Sequence, residues 1–266
     1  IAATVRAKVT LIEKAEMGGD CLNRGCVPSK ALIRAAHAAA EVDHAKAFGI
    51  LAQRGMPDFG KVMAHVRASI AAIEPNDSVE RYTGLGVEVL QGEARIVSPW
   101  EVEVNGQRLS ARHLVIATGA RPFVPPIPGL EHVPYCTSDT FWNLQALPQR
   151  IVVLGGGPIG CELAQSLARF DCDVSIVEMA PQLLSREDAD AVAALGGAGA
   201  RVGDHETGDA EAVAHLGDQF VDLVADDRVE AGVGLVVEHV FGLRHERARE
   251  AGAQLHAARD ARWVLG

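Results

Sequence analysis

With 266 residues, 48% of them hydrophobic and only 5% aromatic, the chain is long enough to bury a sizeable core in one or two domains. A formal net charge of -10 argues against nonspecific nucleic-acid binding, and no apolar run approaches the length of a membrane span. No secretory leader pattern is visible, so the expectation is a cytoplasmic protein with neither nucleic acid nor membrane as partner.

Residues 1–8 are short and Ala-rich and read as the last turns of a helix, and 9–12 (VTLI) read as a buried strand ending at Glu13. That order is the second half of a βαβ unit. In a dinucleotide-binding fold an acid at the end of this second strand accepts hydrogen bonds from a ribose hydroxyl, which makes Glu13, with Lys14 beside it, a candidate ribose contact. The Gly-x-Gly-x-x-Gly turn expected before such a strand is absent. Its absence implies that about 20 to 30 residues of a βαβ unit are missing.

The run Gly18-Gly19-Asp20-Cys21-Leu22-Asn23-Arg24-Gly25-Cys26-Val27-Pro28-Ser29-Lys30 follows. An Ala-rich helix is expected after Pro28, which puts Cys26 at a helix start and Lys30 one turn further on the same face. A helix N-terminus and a nearby lysine favour a nucleophilic thiolate. The Cys-x4-Cys spacing by itself leaves a redox dithiol, a structural disulfide, a zinc pair and two buried thiols open.

The flanking residues resemble the class I pyridine nucleotide-disulfide oxidoreductases, the flavoenzymes that include dihydrolipoamide dehydrogenase and mercuric reductase. Asp20 stands where many members have threonine, and Arg24 falls at a variable position. The resemblance implies that Cys21 is the interchange thiol, that Cys26 is the charge-transfer thiol facing FAD, and that Lys30 lies near the reactive edge of the flavin. It also implies that Glu13, Lys14, Gly19, Asp20 and Gly25 line the FAD site.

Residues 31–81 read as mostly helical, with a second amphipathic segment at 59–73 after a turn at 55–58. His37, His44 and His65 fall there without metal-ligand spacing. Segments 87–90, 94–97 and 101–104 alternate as strands of an antiparallel hairpin region, with a turn at Asn105-Gly106. By resemblance, Gly92 and Ala94 pass the adenine of FAD. Residues 114–122 read as a buried strand ending in a small-residue turn, which resembles the family's second flavin motif, Ala-Thr-Gly, through Thr118 and Gly119. A proline-rich crossover follows, and Ser138 lies where the family chain crosses toward the nicotinamide domain and can touch flavin phosphate.

The strand 150–154, the Gly-x-Gly-x-x-Gly turn Gly155-Gly156-Gly157-Pro158-Ile159-Gly160, a helix over 162–170 and a strand 174–177 ending at Glu178 form a dinucleotide fingerprint. Gly155 permits the tight turn, Gly157 admits a pyrophosphate and Gly160 lets helix and strand approach. An acid at 178 favours the free ribose 2′-hydroxyl of NAD over the phosphate of NADP. Glu162 resembles the family glutamate beside the nicotinamide, which can reach the active-site lysine. Cys161 and Cys172 read as apolar packing residues, and five cysteines without framework spacing fit a reducing compartment.

Residues 191–266 do not resemble the family, and they contain no lysine, isoleucine or proline. The expectation is a non-homologous stretch, such as the product of a shifted reading frame, in which short elements at 220–224 and 235–240 could form and His205, His215, His239, His245 and His256 make no metal site. The family's dimerisation domain is not recognised in the sequence.

The expected fold is α/β with two Rossmann-like dinucleotide-binding units, both incomplete: an FAD-binding domain over 1–148 and the start of an NAD-binding domain over 149–190. The expected activity moves electrons between NAD(H), FAD and a Cys21–Cys26 disulfide, as in dihydrolipoamide dehydrogenase. A mercuric reductase-like enzyme acting on mercuric ion, and a non-catalytic remnant, are the alternatives to a disulfide or dithiol substrate.

Overall fold

The computed structural model describes residues 2–180, 182–188 and 190, together with the backbone of 212–215 and 262–265. The side chains of the five tail histidines and the segments 220–224 and 235–240 lie outside the described residues. The chain is mixed α/β and divides into two compact units, Ile1–Pro28 with Arg67–Ala120, and Ser29–Val66 with Arg121–Gly266.

In the first unit, strand β1 (Val9–Glu13) pairs in parallel with β2 (Val87–Gln91), from Val9 opposite Val87 to Glu13 opposite Gln91. Between them in sequence lie α1 (Gly19–Asn23), α2 (Cys26–His44), α3 (Phe59–Ile73) and α4 (Val79–Gly84). Ser78 caps α4 by accepting the Arg81 N–H at 3.2 Å, which satisfies one of the amides left over at a helix start. Strands β3 (Ala94–Ser98), β4 (Glu101–Val104) and β5 (Gln107–Ser110) form an antiparallel meander. Asn105 and Gly106 both take positive φ, 51° and 75°, the conformation a two-residue turn needs to match strand twist.

Three expectations are corrected here. Residues 2–6 form a turn, closed by the Ala7 N–H on the Ala2 carbonyl with Arg6 at φ 64°, because so short a stretch cannot sustain a helix. Strand β2 joins β1 in parallel and takes no part in the antiparallel meander. Residues 114–122 have no regular secondary structure, with Gly119 at φ 68°, and Val115 and Ile116 are 89% and 70% exposed. A strand needs a neighbouring ladder for its amides and a facing layer for its side chains, and among the described residues none pairs with this segment.

In the second unit, β7 (Arg150–Leu154), α5 (Pro158–Ala168) and β8 (Asp173–Glu178) form a βαβ unit with Arg150 opposite Asp173 and Leu154 opposite Val177. Ile151, Val153, Val174 and Ile176 alternate into the core, where Leu163, Ala164 and Leu167 of α5 are also buried. Each large apolar side chain buried there contributes roughly 1.5–3 kcal/mol. Strand β6 (Tyr135–Thr137), β9 (Ala212–His215) and β10 (Arg262–Leu265) complete a sheet of order β6-β10-β7-β8-β9, in which only the β8–β9 pair is antiparallel. The proline-rich crossover ends with Ile127 and Leu130 buried against Val133, Val152 and Leu154.

Arg54 ties the irregular stretch 49–58 down within this unit. Its guanidinium bonds Asp43 at 2.9 Å and Asp171 at 2.7 Å while only 16% of its side chain is exposed. Phe59 meets Phe170 edge to face beside it in sequence, with ring centroids 6.1 Å apart.

Candidate active site: a dithiol loop and a glycine turn

Gly18 enters the dithiol segment at φ 85°, and the short helix α1 carries Asp20 and Cys21. The Asp20 carbonyl accepts the Arg24 N–H at 2.8 Å and the Gly25 N–H at 2.6 Å, which turns the chain so that α2 begins at Cys26. A Cβ at Gly25 would lie 3.1 Å from that carbonyl. Cys21 and Cys26 are both exposed and are not joined by a disulfide. Pro28 sits in the first turn of α2, where no amide donor is lost, and the exposed Lys30 follows four residues after Cys26 on the same helix.

The first unit also brings the dithiol segment to the Ala-Thr-Gly turn. Asp20 Oδ2 accepts the Ala120 N–H at 3.3 Å, and a Cβ at Gly119, whose φ is 68°, would lie 2.6 Å from the same oxygen. Thr118 is exposed beside it. At the end of β1 the Glu13 carboxylate accepts the Ala15 N–H at 2.8 Å, and the Glu13 carbonyl accepts the Gly92 N–H at 2.9 Å. Lys14 reaches Glu93 at 3.9 Å, an exposed pair of little energetic weight. Ala94 lies with Asn105 and Gly106 in an open cleft of about 380 Å³. Ser138 is half-buried in the second unit, and Gly19 takes φ 57° at the start of α1.

In the second unit the glycine turn is closed from two sides. Gly155, at φ 110°, donates its N–H to the Val177 carbonyl at 2.9 Å, and Gly156 donates to Glu178 Oε2 at 2.6 Å. Glu178 Oε1 accepts the Ala180 N–H at 2.8 Å, and the Leu184 N–H returns to the Gly156 carbonyl at 2.7 Å. A Cβ at Gly160 would run into the Gly155 carbonyl, whereas one at Gly157 would enter open space at the start of α5. That is a cradle of the kind a pyrophosphate fills, with helix amides and the positive dipole end facing it. Glu162 is half-buried one turn into α5.

Burial, with smaller contributions from the charges of Glu178 and Glu162, pushes the Cys161 thiol up to about 12, and burial aided by Asp173 does the same for Cys172. Both thus stay protonated packing groups at neutral pH. Sequence reasoning missed Gly156, Leu184 and Ala120, whose contributions are backbone bonds.

Residues 1–200 match the family model described as pyridine nucleotide-disulphide oxidoreductase. The chain belongs to this family. A mercuric reductase of Bacillus cereus is 37% identical over 201 residues, covering 70% of this chain and 30% of the relative. A dihydrolipoyl dehydrogenase of Geobacillus stearothermophilus is 38% identical over 189 residues, covering 69% and 40%. Among solved structures, the Cu(II) complex of an HOCl-induced flavoprotein disulfide reductase from Escherichia coli superposes with a TM-score of 0.60 at 29% identity, over 72% of this chain and 41% of that one. The chain therefore spans about three tenths to two fifths of the length of these relatives.

Proposed function

We propose that this chain carries the dithiol and nucleotide-binding parts of an FAD- and NAD-dependent disulfide oxidoreductase of the dihydrolipoamide dehydrogenase kind. The observation that carries the reading is the exposed Cys21 and Cys26 pair, folded around the Asp20 carbonyl at the start of α2, in a chain of this family. In the dithiol form the Cys21 sulfur attacks a substrate disulfide, breaking its S–S bond and releasing one substrate thiol with its proton. Cys26 then attacks Cys21 in the mixed disulfide, which releases the second thiol and leaves a Cys21–Cys26 disulfide. FAD, when bound, supplies two-electron exchange between a nicotinamide and that disulfide.

The residues present fit these groups in particular places. The Glu13 carboxylate, held by the Ala15 amide at the end of a parallel strand, suits the FAD ribose, and the glycine turn at 119 gives a backbone approach beside it in role. Lys30 supplies positive charge for the reduced cofactor. The open cradle at Gly157 suits the NAD pyrophosphate, and the Glu178 carboxylate suits a ribose diol and repels a 2′-phosphate, which favours NAD over NADP. Glu162 is assigned to the nicotinamide side, and Gly92, Ala94 and Ser138 to the FAD side. A cytoplasmic setting belongs to the same proposal; the family resemblance implies a homodimer, formed through a dimerisation domain that is not recognised in this sequence.

A second reading, mercuric reduction, is favoured by the mercuric reductases among the relatives. Purified protein supplied with FAD and assayed for NADH oxidation with lipoamide or with mercuric ion separates the two. Retained yellow colour with lipoamide turnover is the expected result. A colourless chain after FAD addition and gel filtration identifies a non-catalytic remnant.

A further inference from the structure

We infer that Asp20 is a positioning residue whose side-chain oxygen, acting as a hydrogen-bond acceptor, clamps the 117–120 turn onto the dithiol loop. This rests on the proposed function for its purpose, though its geometry stands apart from it. Two observations meet at this one residue. Its backbone carbonyl takes both the Arg24 and Gly25 amides, at 2.8 and 2.6 Å, and so shapes the loop between the two cysteines. Its carboxylate oxygen Oδ2 takes the Ala120 amide at 3.3 Å, from a segment 100 residues away in sequence.

The turn is built around that oxygen. Gly119 takes φ 68°, a conformation that favours glycine, and its backbone passes close to Oδ2, where a Cβ would stand 2.6 Å from that oxygen and push the Asp20 side chain aside. Among the described residues the 113–120 stretch has no strand pairing, and the Asp20 bond ties this turn to the dithiol loop within the same unit. A threonine hydroxyl at this position sits one bond closer to the backbone than Oδ2 and falls short of the Ala120 amide. Because Asp20 is exposed, its charge is screened, and the acceptor rather than the charge makes the clamp.

The test uses the full chain with Asp20→Ala and Asp20→Asn, the latter keeping an acceptor oxygen without the charge. Two quantities are read: hydrogen exchange at the Ala120 amide, and the Cys21–Cys26 equilibrium in glutathione buffers, where two thiols give two electrons and two protons to glutathione disulfide. Asp20→Ala is expected to speed Ala120 exchange about fivefold and to disfavour the intramolecular disulfide by a similar factor, with Asp20→Asn within about twofold of the parent in both. If Asp20→Ala does not fold, Asp20→Thr replaces it with the same expectation. Unchanged exchange, an unchanged equilibrium, or an Asn variant that behaves like Ala overturns the inference. Neither readout uses FAD or NAD, so a parent chain that binds no flavin sinks the proposed function and leaves this test standing.

Discussion

The Glu178 carboxylate accepts the Gly156 N–H at 2.6 Å, so the acid that closes the βαβ unit also fastens the glycine turn that opens it. Its other oxygen takes the Ala180 amide at 2.8 Å, leaving the side chain little freedom to rotate. Hydrogen bonds to a charged, half-buried group are worth about 1.5–3 kcal/mol each. Glu178→Ala is expected to lower the stability of the chain by about that much and to weaken NADH binding at least tenfold. Urea unfolding and quenching titrations with NADH measure the two effects, and Glu178→Gln, which keeps one acceptor, falls between.

Two glycines of the same turn separate binding from folding. Gly157→Ala adds a methyl to open space and is expected to change stability by less than about 0.5 kcal/mol while lowering dinucleotide affinity. Gly160→Ala forces its methyl against the Gly155 carbonyl and is expected to cost about 1–3 kcal/mol. Thermal unfolding with and without NADH distinguishes them.

Arg54 is held by Asp171 and Asp43, and its pKa is raised mainly by the Asp171 hydrogen bond, against the cost of burial. A raised cationic pKa means that this stabilisation is complete below its ordinary value and is lost only at extreme alkalinity. Replacing Arg54 by Met leaves two carboxylates facing no cation and is expected to cost about 1–3 kcal/mol at neutral pH, read from the urea midpoint.

Thiol titration gives a pH-dependent signature. In the unfolded chain Cys161 and Cys172 ionise near their ordinary value of 9.0, while the folded chain holds them protonated to about 12. The stability linked to them is therefore full below about pH 9 and falls as pH rises toward 12. Replacing both by Ala should flatten the urea midpoint over that window. At pH 8 an alkylating probe should label Cys21 and Cys26 rapidly, with Cys161 and Cys172 reacting only after unfolding.

The elements that local pattern dictates were legible. Alternating Ile151, Val153, Val174 and Ile176 marked two core strands, Asn105-Gly106 marked a hairpin, and Pro28 ahead of an Ala-rich run marked α2. Residues 114–122 carried an equally clear strand pattern, yet pairing is supplied by neighbours and not by the segment itself, and Val115 and Ile116 are left exposed. At the sites, residue types announced Cys21, Cys26, Gly157 and Glu178. The backbone bonds of Ala120, Gly156 and Leu184 left no mark in residue type, because any residue supplies an amide. Arg54 was equally silent, since its partners Asp43 and Asp171 are far from it in fold-level pattern and one of them follows α5.

The central claim is that electrons from NADH reach the sulfurs of Cys21 and Cys26. The most direct measurement oxidises the protein, adds FAD and then NADH, and reads by mass spectrometry which cysteines become newly alkylated. The account predicts new labelling at Cys21 and Cys26 that requires both FAD and NADH, with Cys136, Cys161 and Cys172 unchanged. Flavin reduction by NADH with no new label at Cys21 or Cys26 would contradict it.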